Sequence, residues 1–406
     1  MQIPSIKRVR NLKNKTVLLR VDCNVPLLRG KILDDTRIRA SLPTIQYLTE
    51  KGAKVVVLAH LGRPNGKVVR KLRLDPVIKR YKTLLKKDIQ KIYSGNFRFS
   101  KRKLRAIHTY IQKMKAGGVV FFDNIRFSPD EKNNTGLLAE TLASFGDIFV
   151  LDGFAVAHRA SASVSGIPLF LKSYAGVLLQ QEIRELSTLL TKPSQPFVTI
   201  LGGAKAETKI PIIACLLPKA KHILIGGGVA NTYFSACGYK IGDSIISKVV
   251  KKEAKLYGKK QKVITPIDVI VGTKNGSHYR IVDVKKTPHT ICKKGEAIYD
   301  IGPQTVLLYA RYIKQAKTLL WNGAMGYIEQ EPYTMGTDAI ARLFGSRSKG
   351  RARGIIGGGE TIASMEYVGM TDMVDYVSTG GGAMLEFLSD KTLPGISAII
   401  QSAHKK

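Results

Sequence analysis

The chain has 406 residues, 44% of them hydrophobic, too many for one ordinary core and enough to fill two or three. Its 65 Lys and Arg outnumber 30 Asp and Glu, giving a formal charge of +35 that sets attraction to polyanions against plain solvation. Four scattered cysteines, Cys23, Cys215, Cys237 and Cys292, form no C-x-x-C pair and argue against a disulfide framework or a cysteine zinc site.

No apolar run approaches the length of a membrane span, and the N-terminal stretch lacks the apolar core of a secretory signal. The ending "SAHKK" is neither a prenylation box nor a peroxisomal tripeptide. The expected setting is the cytoplasm, with no membrane partner.

The first expected strand, "TVLLRVDCN", ends on Arg20, Asp22 and Asn24. The next, "KVVVLAHLGRPNG", opens with three valines and a leucine, as a strand covered on both faces does, and ends on His60, Gly62 and Arg63 before a Pro64-Asn65-Gly66 turn. "DPVIKRYKTLLKKD" predicts a helix capped by Asp75, with Pro76 in its first turn. It lies in a basic stretch from Lys67 to Lys115 whose charges interleave with Leu, Ile and Val at helical spacing, so solvated helix faces are expected rather than a nucleic-acid site. Two further strands, "GVVFFDNIRF" and "DIFVLDGFAVAHRAS", end on Arg126 and on His158 and Arg159. Alternating strands and helices imply parallel βαβ units in a doubly wound sheet, where ligands bind beyond the carboxyl ends of the strands. Basic groups recurring at those ends point to a small anion.

"LKSYAGVLLQQEIRELSTLL" then places Leu179, Ile183, Leu186 and Leu190 on one face of a long helix ending before Pro193. Beyond it the strand endings change. "FVTILGGAK", "KHILIGGGVANTY", "RGIIGGGET" and "DYVSTGGGAM" each put glycines straight after an apolar run, where backbone can approach phosphate and a helix N-terminus offers N–H groups. Close strand-to-helix packing explains one or two such turns equally well. Neither G-x-G-x-x-G nor G-K-[ST] occurs, which counts against a nicotinamide dehydrogenase and a Walker P-loop. One lobe for an acid and one for a phosphate donor points to phosphoryl transfer; a basic nucleic-acid-binding protein on an inherited fold is the competing class.

In order and spacing, "RVDCNVPL", "AHLGRPNG", "DNIRF", "DGFAVAHRAS", "LGGAKAETKI", "GGGVANTYF", "WNGAMGYIE", "IGGGET" and "VSTGGGAMLEFL" resemble the motifs of the phosphoglycerate kinases. The resemblance implies reversible transfer between 1,3-bisphosphoglycerate and ADP, giving 3-phosphoglycerate and ATP with Mg²⁺, by a monomer. It implies an α/β fold of two Rossmann-like doubly wound parallel-sheet lobes joined by a long helix and hinge. The N-terminal lobe would span 1–170, with a tail of about 388–406 folded back onto it, and the helix with the nucleotide lobe 171–387. Asp22, Asn24, Arg37, His60, Arg63, Arg126 and Arg159 match the phosphoglycerate site, with Arg20 and His158 in the same patch. Lys205, Lys209, Gly226, Gly227, Asn322, Glu329, Gly357, Gly358, Gly359, Glu360 and Thr361 match the nucleotide site, and Glu360 the metal residue. Arg37 and Lys205 are the expected catalytic residues. The chain departs from the family pattern at Glu360, commonly Asp; at Thr208, commonly an acid; at Ser161, commonly His; at Ala324, commonly Pro; and at Cys23, commonly Phe.

Overall fold

The structure is a computed structural model that describes residues 3–93, 95–134, 137–287 and 289–403. It falls into two compact units, Met1–Arg184 with Thr392–Lys406, and Glu185–Lys391.

The first unit runs β1 (Thr16–Arg20), α1 (Thr36–Glu50), β2 (Lys54–Leu58), α2 (Asp75–Leu85), β3 (Gln90–Tyr93), α3 (Lys101–Lys113), β4 (Val119–Phe122), β5 (Ile148–Leu151) and β6 (Ser173–Ala175). The strands form one parallel sheet in the order β3-β4-β2-β1-β5-β6. Val55 to Leu58 are fully buried, as the unbroken apolar run requires of a strand with both faces covered. Val17, Leu19, Val55 and Val57 pack with Ile38, Ile45, Val77 and Tyr81, each buried aliphatic side chain stabilising the unit by about 1.5–3 kcal/mol. The chain leaves β1 for β2 on one side and returns to β5 on the other, so loops from both directions meet at the carboxyl ends of these strands.

Asp75 does not cap α2. It is the first helical residue, exposed and paired with Lys91 at 2.7 Å, while the Leu74 N–H donates to Asp123 Oδ1 at 2.8 Å. The fully buried Asp123, at the end of β4, reaches the helix entrance first. In α3 the basic residues are solvated as their spacing predicts: Ile107 and Ile111 are buried and Lys101, Arg102, Lys103, Arg105 and Lys113 exposed.

The long helix is α4 (Val177–Thr191). Leu179, Ile183 and Leu186 are buried, but the fourth buried residue of the stripe is Leu189 rather than Leu190. The buried stripe turns toward the side that carries Glu182 and Glu185, both also buried.

In the second unit β7 (Phe197–Leu201), α5 (Ala206–Leu216), β8 (His222–Ile225), α6 (Gly227–Ala236) and β9 (Val263–Ile264) are followed by three antiparallel strands, β10 (Asp268–Gly272), β11 (Tyr279–Asp283) and β12 (Ala297–Ile301). Then come α7 (Pro303–Gln315), β13 (Thr318–Asn322), α8 (Met335–Arg347), β14 (Arg353–Gly357), α9 (Gly359–Tyr367), β15 (Tyr376–Ser378) and α10 (Gly382–Leu388). The parallel sheet has the order β9-β8-β7-β13-β14-β15, which reverses direction between β7 and β13. Trp321, on β13, is fully buried against Phe344 of α8. Helix α11 (Pro394–Ala403) belongs to the first unit, where Ser402 Oγ accepts the Ser173 N–H at 3.1 Å and the Gly395 N–H donates to the Ala157 carbonyl at 2.9 Å. The last three residues of the expected tail lie outside the described residues.

Candidate active site

Strand ends deliver the basic groups of the first unit to one place. Arg20, at the end of β1, is 1% exposed; its Nε donates to Ser163 Oγ at 2.8 Å, and Nη2 lies 3.2 Å from His60 Nδ1. A guanidinium only donates, so Nδ1 of His60 is the acceptor and Nε2 carries the proton. Burial, followed by the charges of Arg20, Arg126, Arg159 and Arg37, pushes the His60 imidazole well below its usual range, which keeps it neutral. Arg37, in the first turn of α1, pairs with Asp22 Oδ2 at 2.5 Å, and the Asn24 N–H holds Asp22 Oδ1 at 3.0 Å.

Gly62 ties this group to the next. Its N–H donates to Asn24 Oδ1 at 2.8 Å and its carbonyl accepts from Arg126 Nη1 at 2.9 Å. A φ of +62° and a Leu72 methyl 2.8 Å from where a Cβ would stand reserve the position for glycine. Beyond lies a cavity of about 840 Å³ lined by Arg20, Arg63, Arg126, Arg159, Glu131 and Ser161 among others. Burial and then the charges of Arg159 and Arg20 push the Arg126 guanidinium down to about 10, so it stays charged at neutral pH among other cations. His158 is not part of the cavity lining.

In the second unit the glycine turns abut one another. The Gly203 N–H donates to the Ala324 carbonyl at 2.7 Å, the Gly227 N–H to Met325 at 2.9 Å and the Gly228 N–H to Gly203 at 3.0 Å. A Cβ on Gly202 would collide with the Ala324 carbonyl. These glycines thus provide close approach, with φ of +81° at Gly203 and +52° at Gly227, while their N–H groups are consumed internally. The entrances of α5, at Lys205, and of α9, at Gly358 and Gly359, have no side-chain cap, the condition under which a helix N-terminus can meet an anion.

Asn322 is buried and its Nδ2 donates to the Gly357 carbonyl at 2.6 Å, joining two strand ends; Thr361 Oγ1 accepts the Gly323 N–H at 2.7 Å. Both fix the loops before they can meet a ligand. Glu360 is exposed, with Oε2 2.8 Å from where a Gly203 Cβ would stand. Burial lowers the Lys209 ammonium, and the largest opposing charge is that of Glu360. Lys205 is exposed at the mouth of the same turn. Glu329 is exposed in the loop after Gly326 and forms no hydrogen bond or ion pair among the described residues. No group of three or more His, Cys, Asp or Glu gathers to hold a metal among the described residues. A single carboxylate beside uncapped N–H groups fits Mg²⁺ carried on phosphates, since that ion takes one or two carboxylates and keeps waters.

The sequence profile of the phosphoglycerate kinase family matches residues 6–391. The chain belongs to the phosphoglycerate kinase family. It is 40% identical over 399 residues to the phosphoglycerate kinase of Moorella thermoacetica, covering 96% of this chain and 97% of that protein. To the one from a Roseiflexus species it is 42% identical over 402 residues, covering 97% and 98%. Among solved structures, the phosphoglycerate kinase of Coxiella burnetii superposes with a TM-score of 0.83 at 36% identity over 98% of this chain and 99% of that one. That of Pyrococcus horikoshii gives 0.82 at 30% identity over the whole of both chains. Phosphoglycerate kinases are phosphotransferases that interconvert 1,3-bisphosphoglycerate and ADP with 3-phosphoglycerate and ATP, and this chain is one of that class.

Sequence reasoning missed Glu131, Ser163 and the Ala324 carbonyl. Each acts through partners distant in the chain, and no local pattern marks them.

Proposed function

We propose that the arginine cavity of the first unit binds 3-phosphoglycerate and 1,3-bisphosphoglycerate, and that the glycine turns of the second bind ADP and ATP. The observation that carries this reading is charge. Among the described residues, Arg20, Arg37, Arg63, Arg126 and Arg159 face the acids Asp22 and Glu131, an excess of three positive charges. A carboxylate plus a phosphate monoester carries about three negative charges at neutral pH. Arg63, Arg126 and Arg159 hold the stationary end by charge-assisted hydrogen bonds, and His60 offers Nε2–H as a neutral donor. Arg37 and Lys205 neutralise the moving phosphoryl. An acyl phosphate is already reactive, so alignment and charge do the work and no general base is needed.

On the nucleotide side, Lys209 and the entrances of α5 and α9 meet phosphates, Gly226 and Gly227 form a wall of the adenine pocket, and Glu329 reaches ribose hydroxyls. Glu360 would hold the Mg²⁺, which supplies charge neutralisation on the nucleotide phosphates. Calorimetric titration tests the two half-sites separately. Wild-type protein should bind 3-phosphoglycerate without nucleotide and MgADP without 3-phosphoglycerate; failure of the first defeats the assignment of the arginine cavity.

Glu360→Asp should keep the magnesium requirement with a modest change in MgADP affinity, because the carboxylate is retained and only its reach changes. Glu360→Ala should impair turnover strongly. Titrating activity against magnesium decides it: an alanine variant with wild-type magnesium dependence removes Glu360 from the metal.

No helix among the described residues is long and apolar enough to cross a membrane, and four free cysteines, two of them buried, suit a reducing cytoplasm. The exposed lysines and arginines of α3 support weak, sequence-independent attraction to nucleic acid, which should vanish as salt approaches the physiological range because it rests on counterion release. Binding to unrelated DNA and RNA sequences across a salt series checks this. Tight, selective binding at physiological salt contradicts it.

A further inference from the structure

The arginine cavity contains one acid that the proposed chemistry does not use. Glu131 lies on the short helix Asp130–Asn133, is 3% exposed, and lines the cavity beside Arg20, Arg63, Arg126 and Arg159. An acid facing an anion site weakens binding unless it does something else. Its oxygens are fully directed: Oε1 accepts the Ser161 hydroxyl at 2.9 Å and the Ser163 hydroxyl at 2.7 Å, and Oε2 accepts the Ser163 N–H at 2.9 Å. Ser163 Oγ in turn accepts from Arg20 Nε.

Arg20 is the most deeply buried guanidinium of the cluster and forms no direct ion pair among the described residues. Its other contacts are the Val21 carbonyl and the His60 nitrogen, both neutral. A guanidinium so buried is costly unless a counter-charge is near. Glu131 supplies the largest opposing charge, ahead of Asp22, which keeps Arg20 protonated against burial. The line Arg20 Nε–H to Ser163 Oγ–H to Glu131 Oε1 has one sense only, since arginine cannot accept and an ionised carboxylate cannot donate.

We propose that Glu131 is a positioning residue for the anion site, acting through the Ser163 hydroxyl to fix Arg20 and through Ser161 and Ser163 to fix the turn after Arg159. It resembles a second-layer carboxylate behind a metal ligand, with a guanidinium in the ligand's place. The serine at 161 has a role here: its hydroxyl is one of the three donors that hold the carboxylate. The inference rests on the reading of the cavity as the 3-phosphoglycerate site.

The test is calorimetry with 3-phosphoglycerate and, separately, MgADP on the full chain carrying Glu131→Gln, Ser163→Ala or both. Glutamine cannot satisfy the Ser163 N–H and both hydroxyls at once. Each single change should weaken 3-phosphoglycerate binding by about tenfold, the scale of one charged hydrogen bond left unmade, and leave the MgADP constant within about twofold. In steady-state kinetics the loss should fall on KM for 3-phosphoglycerate rather than kcat. Because both residues act along one line, the double variant should bind no more weakly than the worse single variant. If Glu131→Gln does not fold, Ser163→Ala carries the test alone. Wild-type protein that fails to bind 3-phosphoglycerate overturns the substrate reading and this inference with it. Variants that bind it as wild type does, that lose MgADP binding equally, or whose effects simply add overturn the inference alone.

Discussion

Arg37→Ala is expected to lower kcat by about a hundredfold or more, with a smaller rise in KM for 3-phosphoglycerate. Arg37 is held before any ligand arrives: its Nη1 pairs with Asp22, and Asp22 is fixed by the Asn24 N–H. A donor held in this way costs no reorganisation when charge shifts in the transition state, which is where such donors have their largest effect. Arg159 differs. It is exposed, lines the cavity and forms no ion pair among the described residues, so nothing there holds it ahead of the substrate it is proposed to bind. Uniform binding of that kind appears in KM, and Arg159→Ala should raise KM with a minor loss of kcat. Steady-state kinetics on both variants, with folding checked by circular dichroism, makes the comparison. An Arg37→Ala enzyme with near-normal kcat and a raised KM would remove Arg37 from the moving phosphoryl.

A large effect on stability should come from Asp152, and it should depend on pH. Asp152 is fully buried at the end of β5, where Oδ1 accepts the Leu178 N–H at 2.9 Å and the Leu179 N–H at 3.3 Å at the start of α4, while Oδ2 has no hydrogen-bond partner among the described residues. Burial pushes its carboxyl up to about 7, against the pull of Thr44 and the two backbone N–H groups. A carboxyl raised in the folded state binds its proton there more tightly than in the unfolded chain. Its stabilising contribution is therefore complete below the unfolded value near 4 and is lost as pH rises to about 7. Over that interval the change amounts to about 4 kcal/mol at most. Asp300 is raised by burial as well and acts in the same direction, so the wild-type curve alone does not isolate Asp152. Asp152→Asn does, because it retains an acceptor for the helix N–H groups and cannot ionise. The difference in unfolding free energy between variant and wild type should grow in the variant's favour from pH 4 to pH 7. A difference that stays flat over this range would show that Asp152 does not titrate there.

The two parallel sheets and most of the arginine cluster were legible because they depend on local pattern. Val55 to Leu58 read as a covered strand, and a strand in such a sheet carries His60 and Arg63 to its carboxyl edge. Roles set by competition between distant groups were not legible. Asp75 carries every local mark of a helix cap, yet Asp123, 48 residues further along, holds the Leu74 N–H. The glycine-rich strand endings read as places where backbone approaches phosphate, but the N–H groups of Gly203, Gly227 and Gly228 turn inward to carbonyls of neighbouring loops. Ser161 read as a departure from a common His; in the fold its hydroxyl holds Glu131. The antiparallel strands between Asp268 and Ile301 were not anticipated, since they lie on neither strand-end series that pointed to the site. Leu189 replaced Leu190 for a similar reason: α4 buries a stripe that drifts around its axis, which a fixed helical spacing does not capture.

The chain moves a phosphoryl group between a glycerate phosphate and a nucleotide, on the proposed reading with Arg37 and Lys205 at the moving group. The most direct measurement is a coupled assay of ATP-dependent consumption of 3-phosphoglycerate by purified, folded protein with magnesium near neutral pH. Turnover that requires both substrates, that depends on magnesium, and that falls about a hundredfold or more in Arg37→Ala is the predicted result. Folded protein that binds both ligands and shows no turnover under these conditions would contradict it.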